Sequence, residues 1–140
     1  MKKLLIIAIA LTALCVRAQE IHRHVVRGAG TNTVVYFGAA STNYPGYSAD
    51  SWTFLQPAAN LLRLHDVAVV FPSNVTLTVS YKVTKNGVAY TAATNAVTSR
   101  ESLWAPPAGG VHLLRGDRLT IDKSAFATND VVIDFAIPLR

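Results

Sequence analysis

Residues 75–84 read Val-Thr-Leu-Thr-Val-Ser-Tyr-Lys-Val-Thr, and Lys85-Asn86-Gly87 follow. Val75, Leu77, Val79, Tyr81 and Val83 alternate with Thr76, Thr78, Ser80, Lys82 and Thr84. Successive side chains of a strand point to opposite faces, so this period of two predicts a strand with one face in the core and the other in water. Asn86-Gly87 supply the positive φ values of a tight hairpin, which returns the chain through Val88 to Thr91 or beyond.

The neighbouring segments extend the pattern. Leu61 to Phe71 begins by alternation (Leu62, Leu64, Asp66), becomes apolar from Val67, and ends at Pro72-Ser73-Asn74, so it is expected to be a strand paired with the one starting at Val75. A short helical turn is allowed at Pro57 to Leu61, where proline suits a first helical position. Val131, Ile133, Phe135, Ile137 and Leu139 alternate with Val132, Asp134, Ala136 and Pro138 as a closing strand. Arg118 to Asp122, Ile21 to Arg27, Thr33 to Phe37 and Trp52 to Leu55 are shorter candidates. Past Gln19 there are only two glutamates and three lysines, while Thr, Val, Ser and Asn are plentiful, so strand formers dominate over helix formers. The expectation is an all-β domain: an antiparallel β-sandwich, jelly-roll or immunoglobulin-like Greek key, of seven or eight short strands. Gly38 to Ser51 and Ser99 to Gly110 remain as the long loops.

The formal charge of the 140 residues is +5, from 13 basic and 8 acidic side chains. That excess belongs mostly to the start of the chain. Lys2, Lys3 and Arg17 flank the apolar stretch Leu4 to Val16, the build of a secretory leader. At about 1.5 Å per residue the stretch reaches roughly 20 Å, too short for a hydrocarbon core of about 30 Å. Val16-Arg17-Ala18 places modest residues for cleavage, which leaves residues 19–140 as one domain with ten basic and eight acidic side chains, a net of +2. A secreted or cell-surface location follows, with no stable membrane span after cleavage. Lipid anchoring at Cys15 is the rival, although Leu14 precedes it where a small residue is usual. Cys15 is the chain's one cysteine, so the mature domain is expected to lack disulfides and thiol chemistry.

Motifs for catalysis are sparse. The chain has no GxSxG, no HExxH and no phosphate-cradling glycine loop, and Asp117 and Asp122 are accounted for by a turn and a strand end. No catalytic residue, metal or cofactor is expected. His22 and His24 share a strand face and can approach one metal ion, yet no third ligand is apparent and a solvated face explains them equally. Arg115-Gly116-Asp117 matches the tripeptide of integrin ligands, but Gly-Asp between apolar alternations reads as a turn reversing one strand into the next. Asn74-Val75-Thr76 is a formal glycosylation sequon at a turn. Nucleic-acid binding is not expected, because the mature domain disperses its basic residues and only Arg23 and Arg27 lie close together.

Tyr44-Pro45-Gly46-Tyr47, with Trp52 and with Trp104 in the other long loop, forms the candidate binding surface. Aromatic rings on polar loops stack on sugars or anchor a protein partner, and a tryptophan serves equally as a plug between sheets.

Trp104-Ala105-Pro106-Pro107, then Val111 to Leu114, then Gly116-Asp117-Arg118-Leu119-Thr120-Ile121 and a final Val131 to Ile137, together resemble the closing hairpins of small β-sandwich proteins in tailed-phage particles and related surface modules. The likeness covers the last third to half of the chain and transfers no site residue. It implies a structural subunit. The expected function is a non-catalytic, exported structural or adhesive component of an extracellular or virion-like particle assembly, with a protein partner or self-association. A carbohydrate-binding module is the second expectation and a small secreted hydrolase the third. An assembly subunit should leave a sheet edge unpaired or an apolar patch exposed, whereas a carbohydrate module should set its aromatics side by side on an exposed platform.

Overall fold

A computed structural model describes residues 21–38, 52–55, 61–108 and 110–137, the segment 52–55 by its strand alone. Every element among these residues is a β-strand. In chain order they are β1 (Ile21–Gly28), β2 (Asn32–Phe37), β3 (Trp52–Leu55), β4 (Leu61–Val70), β5 (Leu77–Lys85), β6 (Val88–Val97), β7 (Glu101–Trp104), β8 (Val111–Leu114), β9 (Arg118–Lys123) and β10 (Asn129–Ala136). One sheet runs β1-β10-β4-β7, with β8 beside β7 on the same side of β4, and the other runs β3-β2-β9-β5-β6. All pairs are antiparallel except β2 with β3. The chain is a β-sandwich, as the alternation predicts, and β7 and β8 raise the strand number to ten.

The hairpin forms as its sequence requires. Asn86 has φ 52° and Gly87 φ 79°, and β6 then pairs with β5 from Val88 opposite Lys85 to Val97 opposite Leu77. Leu77, Val79, Tyr81 and Val83 are buried from one face of β5 against Leu62, Leu64, Val67 and Val69 of β4 and Val131 and Ile133 of β10 in one hydrophobic cluster. In β4 the inward phase changes between Leu64 and Val67. The β10 register shifts there, Asp134 facing Asp66 and Phe135 facing Leu64, so His65 is the extra residue of a bulge. The bulge turns Asp66 outward and lets the apolar run from Val67 resume alternation with Val67 and Val69 inside.

Two expectations about pairing are corrected. β4 does not pair with β5: they belong to opposite sheets, and Pro72–Asn74 crosses between them. The crossing is tied to the parallel crossing after β6 by Phe71 N–H donating to Arg100 O (2.7 Å) and Val75 N–H to Ser99 O (3.0 Å). A long ribbon, β4 with β7 and β5 with β6, thus folds over the core. Likewise Arg115–Asp117 does not make a hairpin, because β8 lies on β4 while β9 lies between β2 and β5. The turn carries the chain from one sheet to the other. The Ser99 to Gly110 loop is also partly strand, β7, and the closing strand ends at Ala136. The helical turn expected at Pro57 to Leu61 falls outside the described residues, apart from Leu61, which opens β4.

Candidate functional site

Trp104 is the first correction at the site. It lies on β7, opposite Val67, with its ring in the core at 7% exposure and tilted against Tyr81 at a centroid distance of 5.6 Å. The alternation of β7 explains this: Ser102 and Trp104 point in, Glu101 and Leu103 out. Trp104 is therefore a plug between the sheets and presents no ring to a ligand. Trp52 opens β3, paired in parallel opposite Val34. Tyr44 and Tyr47 fall outside the described residues.

Around Trp104 a polar brace closes one side of the sandwich. The buried Tyr81 hydroxyl meets Ser102 Oγ at 2.7 Å, and Asn95 Nδ2 of β6 donates to Ser102 Oγ and to Leu103 O, each at 3.0 Å. Burial, with a smaller contribution from Glu101, outweighs the Ser102 hydrogen bond and pushes the Tyr81 phenol up to about 12. An unfolded tyrosine releases its proton near 10. Between those values the folded chain holds more protons, so stability falls as pH rises through that window, by about 3 kcal/mol at its upper end. Urea denaturation from pH 9 to 12 should show this loss in the native chain and not in Tyr81→Phe, which should cost about 1 kcal/mol at neutral pH.

The sheet edges differ in how they are protected. Edge strands expose unpaired backbone groups, and proteins blunt them by brevity, charge or proline. β1 carries charge: Arg23 forms a two-pronged pair with Asp134 (2.8 and 2.9 Å), and Arg27 Nε reaches Asp130 Oδ1 at 3.3 Å. Arg23 thereby holds the Asp134 carboxyl below its ordinary range. β3, β7 and β8 are four residues each. β6 is ten residues, Val-Ala-Tyr-Thr-Ala-Ala-Thr-Asn-Ala-Val, without charge or proline, and its free side pairs with no strand among those described. At its start Val88 and Tyr90 are 70% and 45% exposed although they share the inward phase of Ala93, Asn95 and Val97. The β5–β6 register shifts between Tyr81 and Lys82, which leaves Ala92 as the extra residue of a bulge between this start and the run from Ala93 to Val97. On the outer face of the β1 sheet, the register also aligns Val25, Val132, Ala68 and Leu103 in one apolar row across four strands.

The remaining candidates resolve by position. His22 stacks on Phe135 at 5.5 Å and 24°, and burial lowers the pKa of His24. No group of three or more His, Cys, Asp or Glu able to hold a metal occurs among the described residues. Asp117 is 3% exposed, with its carboxylate turned inward, so the Arg-Gly-Asp tripeptide is a structural turn. Asn74 and Thr76 are exposed on the crossing between β4 and β5. The length of β6 is partly legible in its sequence, whereas its edge position follows from topology and has no local signal.

No family model matches the chain, and no curated protein matches it. Among solved structures, the crystal structure of the Yersinia pseudotuberculosis-derived mitogen is similar at 11% identity over 88% of this chain and 90% of that chain, with a TM-score of 0.34.

Proposed function

We propose that this chain is an exported, non-catalytic β-sandwich that works as a structural or adhesive subunit of an extracellular or particle assembly, joining a second copy of itself through β6. The observation that carries this reading is the edge: ten uncharged, proline-free residues on the rim of a five-stranded sheet, where every other described edge is short or charged. Antiparallel pairing of β6 with its own copy brings no like charges together, satisfies backbone groups of both strands that pair with no described strand, and makes a continuous ten-stranded sheet. Val88 and Tyr90 then lie beside the joint and supply apolar area. Export is supported by the charged start and the apolar stretch before Ala18, and it places such a subunit where surface assemblies are built.

The test is the mass of the purified protein by light scattering and sedimentation, against the double variant Thr91→Glu/Thr94→Glu. Both positions are exposed on β6, and the change sets four carboxylates along the joint. The native chain is expected to dimerise or extend further, and the variant to weaken that association by about tenfold or more while keeping its β circular dichroism. A native chain that stays monomeric at high micromolar concentration overturns the reading.

A further inference from the structure

One end of the sandwich gathers Arg27, Arg100 and the buried Lys123, with Asp130 paired to Arg27 and Glu101 opposite Val70. β1 ends there at Gly28, β10 begins at Asn129, β4 gives way to Phe71-Pro72, and Arg100 sits in the crossing before β7. These segments surround a cleft of about 340 Å³. Arg27, Arg100, Thr128 and Asn129 line it, and Val70 and Pro72 supply apolar surface.

The donors are arranged in excess. Arg27 uses Nε on Asp130 at 3.3 Å, and Arg100 uses Nε on Phe71 O at 3.4 Å. A guanidinium carries five N–H donors in a planar fork, and no terminal N–H of either arginine has a hydrogen-bond partner among the described residues. Behind them Lys123 is 5% exposed, and its ammonium donates to Asn129 Oδ1 and Ala127 O, both neutral. This bond fixes the Asn129 amide with Oδ1 toward the lysine. The opposite end, Nδ2, is buried and finds no acceptor among the described residues, and Asn129 as a whole is 2% exposed. Burial lowers the Lys123 pKa below the ordinary lysine value. Asp130 is the one acid lining the cleft, and its side chain is 43% exposed.

We propose that this cleft binds a single oxyanion group, a carboxylate or sulfate, carried on a small ring that lies against Val70 and Pro72. Two arginine forks meet a planar or tetrahedral oxyanion by paired, charge-assisted hydrogen bonds, and lysine in their place makes only point contacts. The volume is at the low end for ligand sites, which limits the occupant to about one ring. The site lies at the end of the sandwich where β1, β10 and β4 meet, and its chemistry is independent of pairing through β6.

The experiment is a two-dimensional amide NMR titration of the purified protein with glucuronate as the ring-bound carboxylate, inorganic sulfate as the bare anion and glucose as the neutral ring. Glucuronate is expected to bind in the millimolar range, to shift the Asn129 side-chain amide and the Arg27 and Arg100 Nε–H signals, and to weaken with salt. Sulfate should bind several-fold more weakly and glucose not measurably. Arg27→Gln and Arg100→Gln should each reduce glucuronate affinity by about tenfold with the rest of the spectrum unchanged. No shift at these signals, or unaltered binding in both variants, overturns the proposal. Equal affinity for sulfate and glucuronate overturns the ring contact, and equal affinity for glucose and glucuronate overturns the oxyanion.

Discussion

Trp104→Ala is expected to destabilise the fold by about 3–5 kcal/mol, the range for removing a large aromatic from a packed core. The position amplifies the loss. β7 is four residues long and pairs with β4 only from Val67–Trp104 to Val70–Glu101, so much of its hold on the sandwich comes from Trp104 against Tyr81 and from Ser102 bonded to Tyr81 and Asn95. Without the indole, Tyr81 loses the ring it packs on and Asn95 loses a well-placed Leu103 carbonyl. The edge of β4 from Val67 to Val70 then opens. Urea denaturation should show the fall in midpoint, and hydrogen exchange should show faster loss at β4 amides 67–70 than at β9. A change below about 1 kcal/mol is the result that refutes the plug and returns Trp104 to the surface. Trp104→Phe, which keeps a ring of smaller volume, should cost about half as much.

The same residue shows where sequence reading ended. The β5–β6 hairpin was legible because ten residues of strict alternation precede Asn86-Gly87, two local signals that agree. β7 has only Glu101-Ser-Leu-Trp104, too short for a period to register, with a serine at one of its two inward positions. Its burial is decided by Tyr81 and Val67, which lie 23 and 37 positions upstream. The pairing of β4 was misread for another reason. Pro72-Ser73-Asn74 marks a change of direction, and a change of direction looks alike whether the chain reverses within a sheet or crosses to the other one. The contacts that decide it, Phe71 with Arg100 and Val75 with Ser99, are remote in sequence. The proposed oxyanion cleft is the extreme case: Arg27, Arg100 and Asn129 share no motif and line one cleft only because β1 and β4 end where β10 begins.

Asp117→Ala should cost about 3–5 kcal/mol, although the residue belongs to a turn. Its two carboxylate oxygens accept from different parts of the chain, Oδ2 from Leu114 N–H at 2.9 Å and Oδ1 from Asn86 N–H at 3.2 Å. Its backbone is engaged as well: Asp117 N–H donates to Leu114 O, Phe37 N–H donates to Asp117 O at 2.9 Å, and Gly116 N–H donates to Phe37 O at 2.7 Å. Gly116 makes this possible with φ 96°, a conformation costly for any other residue. The side chain therefore fastens the end of β8 to the β5–β6 hairpin turn, while the backbone of Gly116 and Asp117 holds the end of β2, at the point where the chain changes sheets. Hydrogen bonds to a charged acceptor contribute about 1.5–3 kcal/mol each, and losing the acceptor strands two backbone donors in a half-buried place. Asp117→Asn keeps one acceptor oxygen but turns an NH₂ group toward the other donor, so it should cost a substantial fraction of the alanine value. Denaturation midpoints of the two variants, with hydrogen exchange at the Asn86 and Leu114 amides, measure this directly. An adhesive Arg-Gly-Asp motif expects the reverse outcome, in which Asp117→Ala leaves the midpoint within about 0.5 kcal/mol and abolishes cell attachment. The inward carboxylate instead requires that stability and amide protection fall together.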